Sequence, residues 1–143
     1  MTQTKQATAE IVFDATDARL GRMAAKAAKS ALEGKHVVIV NCEEAVMTGT
    51  KRDILAHYKA LREIGRPTKG PFWPRMPDRF VRRIVRGMLP YKTPHGTAAF
   101  QRVMCYIGSP QQYAGKAVPV ENKPAARRIK VGELCTLLGG RTK

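Results

Sequence analysis

Along the first half of the chain, the hydrophobic positions fall into short blocks that alternate between strand-like and helix-like spacing. Ile11-Val12-Phe13, closed by Asp14, predicts a short strand. Leu20, Met23, Ala24, Ala27, Ala28 and Ala31 then recur every three or four residues, with Arg22, Lys26 and Lys29 between them. This is the apolar stripe and polar face of a helix. Asp17 stands at its N-cap position and Gly34 just past its end. His36–Asn41 is a continuous apolar run rich in β-branched residues, as expected of a strand covered on both faces in a parallel sheet. Strand, helix and strand in this order form a βαβ unit, which places the chain in the α/β class.

A second helix is predicted over Lys51–Ile64, capped by Thr48 or Thr50 and closed by Gly65, with Ile54, Leu55, Tyr58 and Leu61 as its stripe. From Arg66 to Pro77, four prolines and Gly70 exclude regular structure. Asp78 then stands ahead of a third helix, Arg79–Met88, with Phe80, Val81, Ile84, Val85 and Met88 on one face. Ala98–Val103 reads as a short helix, Met104–Ile107 as a strand and Gly132–Leu138 as a last short helix. Residues 111–126 read as extended or irregular. The length of 143 residues suits one domain. We divide it into a loose leader (1–10), an α/β core (11–110) and a basic C-terminal segment (111–143).

Charge changes this picture. Lys and Arg number 26 against 11 Asp and Glu, a net +15. The excess is uneven: residues 1–65 carry 10 basic and 8 acidic groups, residues 66–143 carry 16 and 3. A compact state so charged repels itself unless a polyanion neutralises it, and nucleic acid is the commonest such partner. The second half is therefore expected to carry the partner surface. Its sharpest feature is Arg79, Arg82, Arg83 and Arg86, four arginines on one helical face with no acid among them. Arginine's planar fork both binds phosphate and stacks on bases. Around this row lie Arg66, Lys69 and Arg75 in the proline-rich loop, Lys92 and His95 after the helix, then Arg102, and finally Arg127, Arg128 and Lys130. In the loop, Phe72 and Trp73 either stack on an unpaired base or anchor the loop to the core. Lys51 and Arg52 follow Thr48-Gly49-Thr50, which lacks the glycine spacing of a phosphate loop. A helix start meeting an RNA phosphate explains that turn better.

Catalytic and metal chemistry find no support. His36, His57 and His95 are scattered and accompany no nucleophile elbow, HExxH motif or carboxylate pair. Cys42, Cys105 and Cys135 lie far apart in apolar runs without metal-ligand spacing, so they read as buried free thiols in a reducing cytoplasm. The polar stretch Met1 to Glu10 is not expected to act as a signal peptide, and no apolar run reaches membrane length. No cofactor, small-molecule substrate or membrane partner is expected.

The stretch Val85-Arg86-Gly87-Met88-Leu89-Pro90-Tyr91-Lys92 closely resembles the signature of the universal large-subunit ribosomal protein L13 family. Asp14-Ala15 through Leu20-Gly21-Arg22 and Ala24 is similar to that family's opening strand and helix. Val40-Asn41 with Thr48-Gly49 and Lys51 is similar to its second strand and turn. Gly70-Pro71-Phe72 with Arg75 and Pro77, and Val103–Pro110, resemble its archaeal and eukaryotic form, and the compact length suggests the archaeal one. The resemblance covers roughly residues 11–140. It implies a three-layer α/β/α fold with a small, mostly parallel four-stranded sheet. It also implies binding to large-subunit rRNA beside neighbouring large-subunit proteins in the cytoplasmic ribosome, a role in assembly and no catalysis. By this match Arg79, Arg82, Arg83, Arg86 and Lys92 face rRNA. A general chromatin-type nucleic-acid binder is the alternative that the charge alone allows, and an enzyme acting on RNA or nucleotides is a third.

Overall fold

The computed structural model describes residues 9–120, 123 and 125–141. Most of the leader lies outside these residues. The first strand, β1, spans Glu10–Asp14, and β2 spans His36–Val40. They pair in parallel, Glu10 opposite His36 through Asp14 opposite Val40. Helix α1, Leu20–Leu32, connects them and buries the predicted stripe. Gly34 ends it with φ 92°, its N–H donating to the Ala31 carbonyl at 3.1 Å. Asp17, expected as the N-cap, is not one. It sits in the left-handed region at φ 53°, its N–H donating to the Glu44 carbonyl, and Arg19 holds the cap position without a side-chain bond.

Two further parallel strands complete the sheet in the order β4-β2-β1-β5. β4 is Val103–Cys105, shorter and earlier than the Met104–Ile107 expected. β5, Val118–Pro119, lies in the stretch read as irregular and pairs with Phe13 and Asp14. The pleat sends alternate side chains to opposite faces. Phe13, Val37, Ile39 and Val103 enter the main core. Val12, Val38 and Val40 face the other way, under Tyr106, Tyr113 and Ala117, so a turn at Gln111–Tyr113 rather than a long helix covers that face.

On the core side lie α2 (Lys51–Glu63), α3 (Pro77–Gly87), α4 (Pro94–Gln101) and α5 (Val131–Leu137). α2 is the least buried: Tyr58 is its one buried residue. Thr50 occupies its N-cap without a capping bond, and Thr48 instead ends a strand, β3 (Val46–Thr48). α3 starts with Pro77 after Met76 at the N-cap, so Asp78 belongs to its first turn instead of capping it. The short helix expected at Ala98–Val103 starts earlier, because the Thr93 hydroxyl accepts the Gly96 N–H.

A second, antiparallel sheet pairs β3 with β6, Arg128–Lys130, placing Val46 opposite Lys130 and Thr48 opposite Arg128. Through it the basic C-terminal segment is tied back to the core, and Leu134, Cys135 and Leu138 are buried. All three cysteines are buried and free. Burial pushes the Cys135 thiol up to about 12.

One position makes the α3–α4 connection sterically strict. A Cβ on Gly96 would lie 1.9 Å from the Pro90 carbonyl oxygen. Gly96→Ala is expected to lower stability by roughly 1–3 kcal/mol through overpacking. An unchanged thermal midpoint would show that α4 does not sit against the turn after α3.

Candidate nucleic-acid interface

The candidate interface is built on α3. Phe80, Val81 and Val85 are fully buried and fix the rotation of the helix. That leaves Arg79, Arg82, Arg83 and Arg86 on its outer side. Only Arg79 is freely exposed. The other three guanidinium groups lie over aromatic rings, with Cζ to ring-centroid distances of 4.3 Å for Arg82 over Phe100, 4.4 Å for Arg83 over Trp73 and 4.9 Å for Arg86 over Tyr91. Arg82 Nε also donates to the Val103 carbonyl at 3.1 Å, and Arg83 Nη1 to the Phe72 carbonyl at 2.8 Å. Desolvation, with the Arg86 charge added, pulls the Arg83 guanidinium below its usual value. It stays protonated at neutral pH all the same.

A cleft of about 400 Å³ opens over this row, lined by Phe72, Pro74, Phe100 and the four arginines. Among the described residues no carboxylate lines it. The site therefore combines three ring-supported cations and the exposed Arg79 with the apolar rings of Phe72 and Phe100. That arrangement suits a ligand carrying both phosphates and planar rings.

The two aromatics of the loop take different places. Trp73 packs into the core, its ring 5.5 Å from Tyr58 and 5.9 Å from Phe80. Phe72 remains 65% exposed. Anchoring and display thus fall on neighbouring residues. The remaining loop cations, Arg66, Lys69 and Arg75, are exposed, as are Lys92 and His95 beyond the helix.

Other expected residues lie elsewhere. Arg102 donates from Nη1 to the Ala31 carbonyl at 3.1 Å, so it satisfies the C-terminal end of α1. Lys51 and Lys130 are exposed but ion-paired, with Glu133 and Glu44 respectively. Such exposed pairs contribute little to stability, and they blunt both lysines as partners for a polyanion. Arg52, Arg127 and Arg128 are exposed. The Gly49 N–H donates to the Arg127 carbonyl at 3.0 Å, which brings the Thr48–Arg52 turn beside the C-terminal cations as a second basic patch. Phe100 and Tyr91 carry the stacks of Arg82 and Arg86, and neither was expected at the site. Their spacing from the arginines in sequence gives no hint of those contacts.

Among the described residues, no group of three or more His, Cys, Asp or Glu side chains could hold a metal ion. Likewise no helix is long and apolar enough to cross a membrane.

A family model described as ribosomal protein L13 matches residues 8–112, which carry both the βαβ unit and the arginine helix. The chain belongs to that family. Among its relatives, the large ribosomal subunit protein uL13 of Natronomonas pharaonis is 46% identical over 133 residues, covering 92% of each chain. The protein of the same name from Methanococcus maripaludis is 42% identical, covering 92% of this chain and 98% of its own. That of Methanopyrus kandleri is also 42% identical, over 86% of this chain and 77% of its own. These family members are archaeal proteins close to this chain in length, in accord with the resemblance to the archaeal form.

Proposed function

We propose that the chain is a structural constituent of the large ribosomal subunit that binds large-subunit rRNA through the α3 cleft and supports subunit assembly without catalysing a reaction. The observation that carries this is the row of four arginines on α3. A buried opposite face fixes their helix, aromatic rings support Arg82, Arg83 and Arg86, and among the described residues no carboxylate lines the cleft they share with Arg79. Family membership supplies the ribosomal context. Arg79, Arg82, Arg83 and Arg86 are the principal phosphate contacts. Arg66, Lys69, Arg75, Lys92 and His95 extend them, and Arg52, Arg127 and Arg128 form the second patch. Lys51 and Lys130 contribute less because each has a carboxylate partner, and Arg102 contributes through the fold. Neighbouring large-subunit proteins cover part of the remaining surface in the cytoplasmic ribosome.

The protein should co-sediment stoichiometrically with large subunits through a moderate-salt wash. It should also bind folded rRNA better than duplex DNA at matched salt. Equal affinity for the two would instead favour a general nucleic-acid binder, and release into the soluble fraction under that wash would reject the ribosomal reading.

A further inference from the structure

We infer that Phe72 is a stacking platform for one unpaired RNA base whose flanking phosphates are held by the arginines of the α3 cleft. This deepens the rRNA-binding reading and rests on it.

The case begins with where the phenylalanines go. Phe13 and Phe80 are buried, and Phe100 is half-covered beneath Arg82. Phe72 alone among the four keeps about two thirds of its surface in water, at 65% exposure. Leaving such a ring exposed forgoes the hydrophobic stabilisation that burial brings.

The exposure does not come from a loose chain. On the C-terminal side, Trp73 is wedged between Tyr58 and Phe80 and covered by Arg83. The Phe72 carbonyl itself accepts from Arg83. On the N-terminal side, the Lys69 and Gly70 N–H groups both donate to the Arg66 carbonyl, at 3.1 and 2.9 Å. The backbone is held on both sides, and the ring projects from a fixed base.

Its surroundings define the ligand. Phe72 lines the 400 Å³ cleft of the arginine row, and it also lines a second hollow of about 220 Å³ with Arg62, Glu63, Ile64 and Arg66. It borders both hollows, the first lined by four arginines and the second by Arg62 and Arg66 with one carboxylate, Glu63. A polynucleotide running from one to the other would pass a base over this ring while its phosphates lie among the arginines. Among the described residues, Trp73, Phe100 and Tyr91 each have an arginine cation over the ring, and no such contact covers Phe72. Its free face matches a neutral flat ring linked to anions, which describes a nucleobase with its phosphates. A duplex would not serve, since paired bases keep their faces stacked within the helix.

The test uses the full chain and purified large-subunit rRNA from the same source, with affinity measured across a salt series. Phe72→Leu keeps an apolar side chain but removes the π-face. It should weaken binding by about 5- to 150-fold, the range expected for one base stack. Its log–log salt slope should match the parent's, because no phosphate contact is lost. Phe72→Tyr should restore affinity. Base-specific chemical probing should show one unpaired nucleotide protected by the parent and by Phe72→Tyr, and exposed with Phe72→Leu. Parent-like affinity and protection for Phe72→Leu would overturn the inference while leaving rRNA binding intact. So would a defect of Phe72→Leu seen only in assembled subunits, which would assign the ring to a protein neighbour. If the parent itself fails to bind the rRNA, the underlying reading falls and this one falls with it.

Discussion

Replacing Phe80 with alanine should destabilise the folded chain by about 3–5 kcal/mol, the largest effect expected of any single core truncation at the interface. Phe80 is fully buried on the inner face of α3. Its ring meets Tyr58 at 4.9 Å and Trp73 at 5.9 Å in edge-on geometry, so truncation removes an aromatic cluster as well as apolar contact. Domains of this kind have only about 5–15 kcal/mol in hand. The urea midpoint should fall sharply with an unchanged m-value, and Phe80→Leu should fall less. The damage should also reach the site, because Trp73 supports Arg83 and Phe80 supports Trp73. A midpoint equal to the parent's would show that α3 does not depend on this cluster for its position.

Changing Arg79, Arg82, Arg83 and Arg86 together to glutamine should flatten the salt dependence of rRNA binding by about 3 in the log–log slope, from roughly 0.7–0.9 per phosphate contact. At about 0.1 M salt this corresponds to an affinity loss on the order of a thousandfold, provided the intercept at 1 M is unchanged. The four positions are not equivalent. Arg79 is exposed and makes no bond from its guanidinium to the rest of the fold among the described contacts, so Arg79→Gln should lower the slope and leave stability alone. Arg82→Gln should lower both, because it also loses the bond to the Val103 carbonyl and the stack on Phe100. If the fourfold variant keeps the parent slope, phosphates do not lie on this face.

Much of the fold was legible because its signals are local. Burial reproduces the α1 stripe residue by residue, and it covers Val37–Val40 of the β-branched run expected over His36–Asn41, while His36 is exposed and Asn41 leaves the strand at φ 55°. What escaped depends on partners distant in sequence. β3 and β6 are three residues each, and their pairing joins segments about eighty positions apart, which no local pattern encodes. Asp17 fits an N-cap by type and position, yet the backbone turns through the left-handed region there to reach Glu44. At the site, the arginine row was visible as spacing. That three of its members lie on Phe100, Trp73 and Tyr91 was not, since those rings come from different elements. Phe72 and Trp73 looked alike in sequence because the same prolines and cations flank both. Only the position of Tyr58 and Phe80 decides which ring turns inward.

The aromatic supports under Arg82, Arg83 and Arg86 have a kinetic consequence. A free arginine side chain carries about 2 kcal/mol of rotamer entropy, which a ligand must ordinarily freeze. Here the rings already hold Arg82, Arg83 and Arg86 in the folded chain, so much of that ordering belongs to the folding equilibrium. For these three side chains a polyanionic partner would meet a preorganised surface and freeze fewer conformers on docking. Loosening one support, as in Tyr91→Leu beneath Arg86, would then leave the charge in place yet return its freedom, separating what the cation contributes from what its fixed orientation contributes.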